Sequence, residues 1–149
     1  MSTQAPVVTT PNDETRLNIG GSQLVRKIRS DDTNGAFSVV EFVSKPGEGV
    51  GLHTHSDEDE LVYLLEGEIE VTLGDTTMTA TPGTCALLPK DIPHGYVNIG
   101  NSPSRLLAVL LPGNLDNFFL ALSRELAADR EHEEHITKLC QSFGLTFHS

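Results

Sequence analysis

Three histidines and one glutamate stand at spacings that suit a single metal ion. His53 and His55 are two residues apart, so on an extended strand both side chains point to one face. Glu60 follows the polar run at 56–59 and opens an apolar stretch, with Val62 and Leu64 at even offsets on its own face. His94 comes from a distant part of the chain, directly after Pro93, whose fixed φ restricts the local backbone. Neutral imidazoles and a carboxylate together form a donor set that Fe, Mn, Ni, Co, Cu or Zn accepts. A metal with open positions polarises a bound oxygen or presents an organic molecule to dioxygen.

These residues need a rigid frame, and the pattern around them is β-like. Short runs rich in Val, Ile, Leu and Phe lie at 24–28, 37–43, 61–65, 69–73, 84–88 and 106–111. Between them stand Asn34-Gly35, Pro46-Gly47, Gly74-Asp75, Pro82-Gly83 and Pro112-Gly113, all turn formers. Many short strands at this spacing predict a sandwich or a barrel. After Pro112-Gly113 the period changes: Leu115, Phe118, Phe119, Leu122 and Leu126 recur at helical spacing behind Asn114, a suitable N-cap. Ile136, Leu139, Cys140 and Phe143 mark a second helical stretch that Gly144 can end. The expected organisation is a flexible segment at 1–15, a β-barrel at 16–112, and a helical tail at 113–149 packed on the barrel.

The histidines sit in two larger constellations. One holds Gly47, His53, His55, Glu60 and Gly67; the other holds Gly83, Pro89, Asp91, His94 and Asn98. Together they resemble the paired motifs of the cupin superfamily. Asp91 stands where that family usually has Gly, and Asp tolerates left-handed backbone better than most residues. The runs DELVYLLEGEIEV, PHGYVN, LPGNLDNFFLAL and LCQSFGLTF extend the resemblance to single-domain (type-2) cupins grouped with quercetin 2,3-dioxygenases. The resemblance implies an all-β fold, a double-stranded β-helix or jelly-roll barrel with a C-terminal helical segment. It implies that His53, His55, Glu60 and His94 bind one divalent transition metal. It further implies a quercetinase-like dioxygenase acting on an aromatic or enol small molecule, with Glu60 both a metal ligand and the catalytic group that takes a substrate proton. The alternatives are a non-redox metal-dependent isomerase, dehydratase or cyclase, and a non-catalytic small-molecule binder. A barrel that keeps the histidines without metal is the bland reading.

Val62, Leu64, Leu87, Tyr96 and Val109 are the residues expected to line the cavity. Tyr96 shares parity with His94 and is read either as a donor to a ligand or as an ordinary core tyrosine. Asn98 is expected to fix a turn, and Tyr63, opposite in parity to Glu60, to pack. Cys85 and Cys140 have no CxxC spacing and read as two buried thiols of a reducing compartment, although Cys85 shares the parity of Leu87. His132 and His135 are three apart, not the four of a zinc-protease helix, so they read as a solvated charged face. The formal net charge of −11 argues against nucleic acid and anionic membranes as partners, leaving a small-molecule substrate. The first residues lack a basic n-region and an apolar h-region, so a cytoplasmic location is expected. A homodimer formed through sheet edges is expected as well.

Overall fold

The computed structural model describes residues 4–13 and 15–148. The strands are β1 (Arg16–Asn18), β2 (Gln23–Ile28), β3 (Ser38–Ser44), β4 (Gly49–His55), β5 (Asp59–Glu66), β6 (Ile69–Leu73), β7 (Thr76–Ala80), β8 (Cys85–Leu88), β9 (His94–Asn98) and β10 (Ser104–Leu111). Helices α1 (Leu115–Ala127) and α2 (Glu133–Ser142) follow, then β11 (Leu145–Phe147). A six-stranded sheet runs β1-β2-β3-β10-β5-β8, and a five-stranded sheet runs β11-β4-β9-β6-β7. Every pairing is antiparallel. This is the expected all-β jelly roll with a C-terminal helical segment.

The two-residue period sorts each strand into an inner and an outer face. On β10, Ser104, Leu106, Ala108 and Leu110 are buried and alternate with Arg105, Leu107, Val109 and Leu111. Inner residues of both sheets, among them Leu24, Val40, Phe42, Leu64 and Ile69, form one core. Burying each such large side chain contributes about 1.5–3 kcal/mol. All six runs read as strands from their composition are strands, with ends shifted by a residue or two. Beyond those runs lie β4 and β9, which carry the histidines, the Thr-rich β7, and the three-residue β1 and β11. The stretch at 4–13 lies largely exposed with a short turn at Pro11–Asp13, and residues 1–3 and 14 lie outside the described ones.

The tail both caps the barrel and enters it. Phe118 and Phe119 of α1 are buried, and Phe119 meets Phe42 edge-on at 5.5 Å. Asn114 occupies the N-cap position of α1, but its side chain makes no cap bond; its Oδ1 accepts from Asn117 instead. The first turn is anchored by Asp116, fully buried, which accepts from the Ser30 hydroxyl at 2.7 Å and pairs with Arg26 at 3.3 Å. After α2 the chain turns at Gly144 (φ +70°) and β11 pairs with β4, Leu145 opposite His55 and Phe147 opposite His53. The segment at 113–149 is therefore not only helical.

One irregularity aims the strand that carries two histidines. Along β4, Val50 pairs with Tyr96 and His53 with His94, so three steps on β4 match two on β9. That bulge places Val50 and His53 on the same inner face despite their odd separation. It also brings its backbone close to β9 at Gly95. A Cβ there would stand 2.9 Å from the Val50 carbonyl oxygen and 3.0 Å from the Leu52 nitrogen, both main-chain atoms. Gly95→Ala is expected to lower stability by about 1–3 kcal/mol. A thermal melt several degrees lower checks this, and an unchanged midpoint contradicts it.

Candidate metal centre

His53 and His55 end β4, His94 begins β9, and Glu60 enters from β5 on the opposite sheet. All four are buried, at 3–6% exposure. One nitrogen of each histidine lies within 4.8 Å of those of the other two. His53 Nε2 is 3.1 Å from His55 Nε2, His94 Nε2 is 3.0 Å from Glu60 Oε2, and His55 Nε2 is 3.9 Å from that same oxygen. The four residues singled out by spacing thus meet at one point inside the barrel.

The outer nitrogens decide what the inner ones offer. His53 Nδ1 donates to the Gly51 carbonyl at 2.6 Å, and His94 Nδ1 to the Ile92 carbonyl at 3.2 Å. These bonds assign the Nδ1–H tautomer and leave a lone pair on each Nε2 pointing inward. The Glu60 carboxylate adds further inward lone pairs. Lone pairs facing one another at 3.0–3.1 Å repel, and a cation among them reverses the sign. Two donors about 2.1 Å from a common ion and at right angles lie about 3.0 Å apart, so the spacing fits a divalent transition metal.

Electrostatics keep the donors in ligating form. Burial, opposed by the Glu60 charge, lowers the His55 pKa to about 4. Burial and the neighbouring His94 lower that of His53. Burial pushes Glu60 upward, but its contact with His94 and the nearby His55 and His53 outweigh it and hold the carboxyl below its ordinary value, a positive charge among the donors being what keeps it ionised. Neutral imidazoles beside an ionised carboxylate are what metal binding requires.

The donors lie on the wall of an apolar cavity of about 210 Å³. Val62 and Tyr96 line it as expected. Leu64 is on the same face as Glu60 but is packed in the core, away from the cavity wall. Leu87 and Val109 are corrections. The pairings Glu60 with Leu88 and Glu60 with Leu110 put Leu88 and Leu110 on the inner face, so Leu87 (61% exposed) and Val109 face outward. Leu88 lines the cavity instead. Cys85 shares the outward face of Leu87 and is exposed, not buried; Cys140 is buried, and both thiols are free. Tyr63 is likewise on the outside, 43% exposed.

The Tyr96 hydroxyl is not aimed at a ligand. It lies 2.8 Å from Ser44 Oγ, which lies 2.6 Å from Ser22 Oγ, and the Ser22 hydroxyl donates to the Gly49 carbonyl. That buried chain is complete when Tyr96 donates into the wall. Asp91 has φ +66°, the left-handed backbone expected of it, and its amide donates to the His55 carbonyl at 2.8 Å. Asn98 ties a turn: its amide donates to the Ser44 and Ser102 carbonyls, and its oxygen accepts from Gly100. The tail supplies wall residues: Phe118 and Phe119, which also seat the helix on the barrel, and Leu122, Leu145 and Phe147, which spacing alone did not reveal. The Phe147 ring is 5.4 Å from that of His53. His132 and His135 lie far along the tail and take no part in the cluster.

Residues 40–110 match the family model described as the cupin domain. Protein SchB of Streptomyces halstedii is 36% identical over 90 residues, covering 59% of this chain and 65% of its own. Quercetin 2,3-dioxygenase of Bacillus subtilis (strain 168) is 26% identical over 103 residues, covering 69% of this chain and 29% of its own. The chain spans less than two thirds of the length of either relative. Among solved structures, KdgF from Halomonas sp. superposes with a TM-score of 0.68 at 18% identity, over 76% of this chain and 99% of that one. The matched stretch, 40–110, carries all four inward donors and most of both sheets, so the part of the chain that builds the site is the part that matches the cupin domain.

Proposed function

We propose that this protein is a metal-dependent, quercetinase-like dioxygenase acting on an enolic or aromatic hydroxy-carbonyl small molecule. The observation that carries this reading is the convergence of four buried donors on the wall of an apolar cavity. A bound divalent transition metal supplies Lewis acidity and, when redox-active, a route for electrons between substrate and dioxygen. Glu60, held ionised, accepts the proton of the substrate hydroxyl. Phe118, Phe119 and Phe147 shield the bound molecule from water.

The lining also favours oxygen chemistry over proton shuffling. Its titratable residues are His53, His55, Glu60, His94 and Tyr96. Four of these form the donor set, and the Tyr96 hydroxyl is engaged by Ser44. An isomerisation in which one base takes and returns the proton is open to Glu60 alone, whereas a reaction that draws its second proton from another side needs a further acid or base. Cleaving an enol with dioxygen needs one proton removed. The relative named quercetin 2,3-dioxygenase supports the same class. Size narrows it: about 210 Å³ is below the roughly 300–1,000 Å³ of sites for drug-sized ligands, which favours a substrate of one or two rings. The working form in this reading is a cytoplasmic homodimer. Oxygen uptake by metal-loaded protein with such a substrate, without added reductant, tests the proposal.

Acid competes with a metal for its imidazoles. Free histidine titrates near 6.5, whereas His55 is held neutral down to about 4. Metal is therefore expected to remain bound on dialysis at about pH 5.5 and to leave as the pH approaches 4. Elemental analysis after dialysis reads this, and loss centred near pH 6.5 contradicts the burial argument.

A further inference from the structure

Two of the three imidazoles have their outer nitrogen held by a backbone carbonyl, as described for His53 and His94. His55 is different. Its Nδ1 is buried and makes no hydrogen bond. The group facing it is Glu58, whose Oε2 lies 3.8 Å away and also has no hydrogen-bond partner. Both side chains are nearly inaccessible, at 4% and 5% exposure. A buried donor and a buried acceptor, each unsatisfied, thus face each other just beyond hydrogen-bond length. The other acids of that turn are differently placed: Asp59 accepts from the Lys90 amide at 2.9 Å, and Asp57 is exposed and accepts from Ser56.

We propose that Glu58 is a positioning residue for the metal centre, closing onto the Nδ1–H of His55 when the Nε2 of that ring takes a metal ion. The proposal rests on reading the donor set as a metal site. A ligating imidazole uses its Nε2 lone pair, so its proton must sit on Nδ1. A carboxylate on that proton fixes the tautomer, holds the ring plane and makes Nε2 a stronger donor. Glu58 sits in the short turn between β4 and β5, so a small rotation of its side chain closes the gap without moving a strand. Each histidine then has an outer acceptor: main chain for two, Glu58 for the third.

The test is the affinity of metal-depleted protein for Zn²⁺ and Co²⁺, read by competition with a chromogenic chelator. Glu58→Leu is expected to weaken binding about 10–100-fold. Glu58→Gln should recover part of the loss, since the amide oxygen still accepts from Nδ1–H. Asp57→Asn, which removes the same charge from a neighbouring exposed position, should change affinity by no more than about twofold. Metal-free Glu58→Leu should melt no lower than wild type, because it removes an unpaired buried carboxylate; a role confined to structure would lower the melt instead. Equal affinity of Glu58→Leu and wild type overturns the role of Glu58 and leaves the metal site standing. An equal loss in Asp57→Asn overturns it too, as a general charge effect. A wild type that binds neither ion overturns the metal reading, and this inference with it. Should the leucine variant not fold, the Gln variant decides: partial weakening supports the role, and no change refutes it.

Discussion

Alanine at His53, His55 or His94 is expected to reduce bound metal from about one ion per chain to a small fraction of that. His132→Ala and His135→Ala should leave it unchanged. The contrast follows from where the rings sit. The first three are buried and present nitrogens to one point from paired strands of the same sheet, with His53 directly opposite His94 in the register. Removing one imidazole leaves three donors held by fixed strands around a gap in the coordination shell that they cannot move to close. The loss should exceed about 100-fold in affinity, since removing a group that merely steers a ligand already costs 10–100-fold. The tail histidines have other surroundings: His132 lies 3.5 Å from Glu125, and His135 is exposed beside glutamates. Elemental analysis of each variant, purified without added metal, reads the outcome. Tail variants that lose metal while barrel variants keep it would overturn the site assignment. The same measurement on wild type identifies the element, and zinc alone would favour non-redox chemistry over the oxygenase reading.

His53 and His55 were legible as a pair because their constraint is local, and Glu60 and His94 joined them through the resemblance of the two constellations to the cupin motifs. Two residues apart on a strand means one face, whatever the strand pairs with. The cavity wall was harder to read for a physical reason. The runs containing Leu87 (Cys-Ala-Leu-Leu) and Val109 (Leu-Leu-Ala-Val-Leu-Leu) are apolar at almost every position, so no alternation marks the inner face. Only the pairing of β8 and β10 with β5 shows that Leu88 and Leu110 stand opposite Glu60. Strand β11 was hidden because three residues carry no periodic signal, and its partner β4 lies some ninety positions earlier. Glu58 sits within an acidic turn whose four residues look equally solvated, and only burial separates it from its neighbours. Asp116 likewise reads as an ordinary first-turn acid; its partners Arg26 and Ser30 are distant in the chain. In each case the missing information is long-range.

Metal-loaded protein is expected to consume dioxygen with a flavonol or a smaller cyclic enol bearing an adjacent carbonyl, without any added reductant. The electron count requires this. The glycines of the chain form no G-x-G-x-x-G between a strand and a helix, the pattern of a nicotinamide or flavin site. In the proposed reaction the electrons come from the organic molecule, as they do when an enol is cleaved and both oxygen atoms enter the product. One- and two-ring substrates should be turned over with a lower KM than a three-ring flavonol, because the cavity is only about 210 Å³ and Phe118, Phe119 and Phe147 line it. Glu60→Gln should remove more turnover than metal. The amide keeps a weak donor oxygen at the same place, but it cannot take the substrate proton. A loss of about 100-fold or more in kcat, with metal content reduced far less, is the expected split. An oxygen electrode with Fe-, Mn-, Ni- and Co-loaded protein and a graded substrate panel reads all of this in one experiment. Anaerobic binding or isomerisation of the same compounds, with no oxygen uptake from any metal form, would replace the dioxygenase by a non-redox cupin.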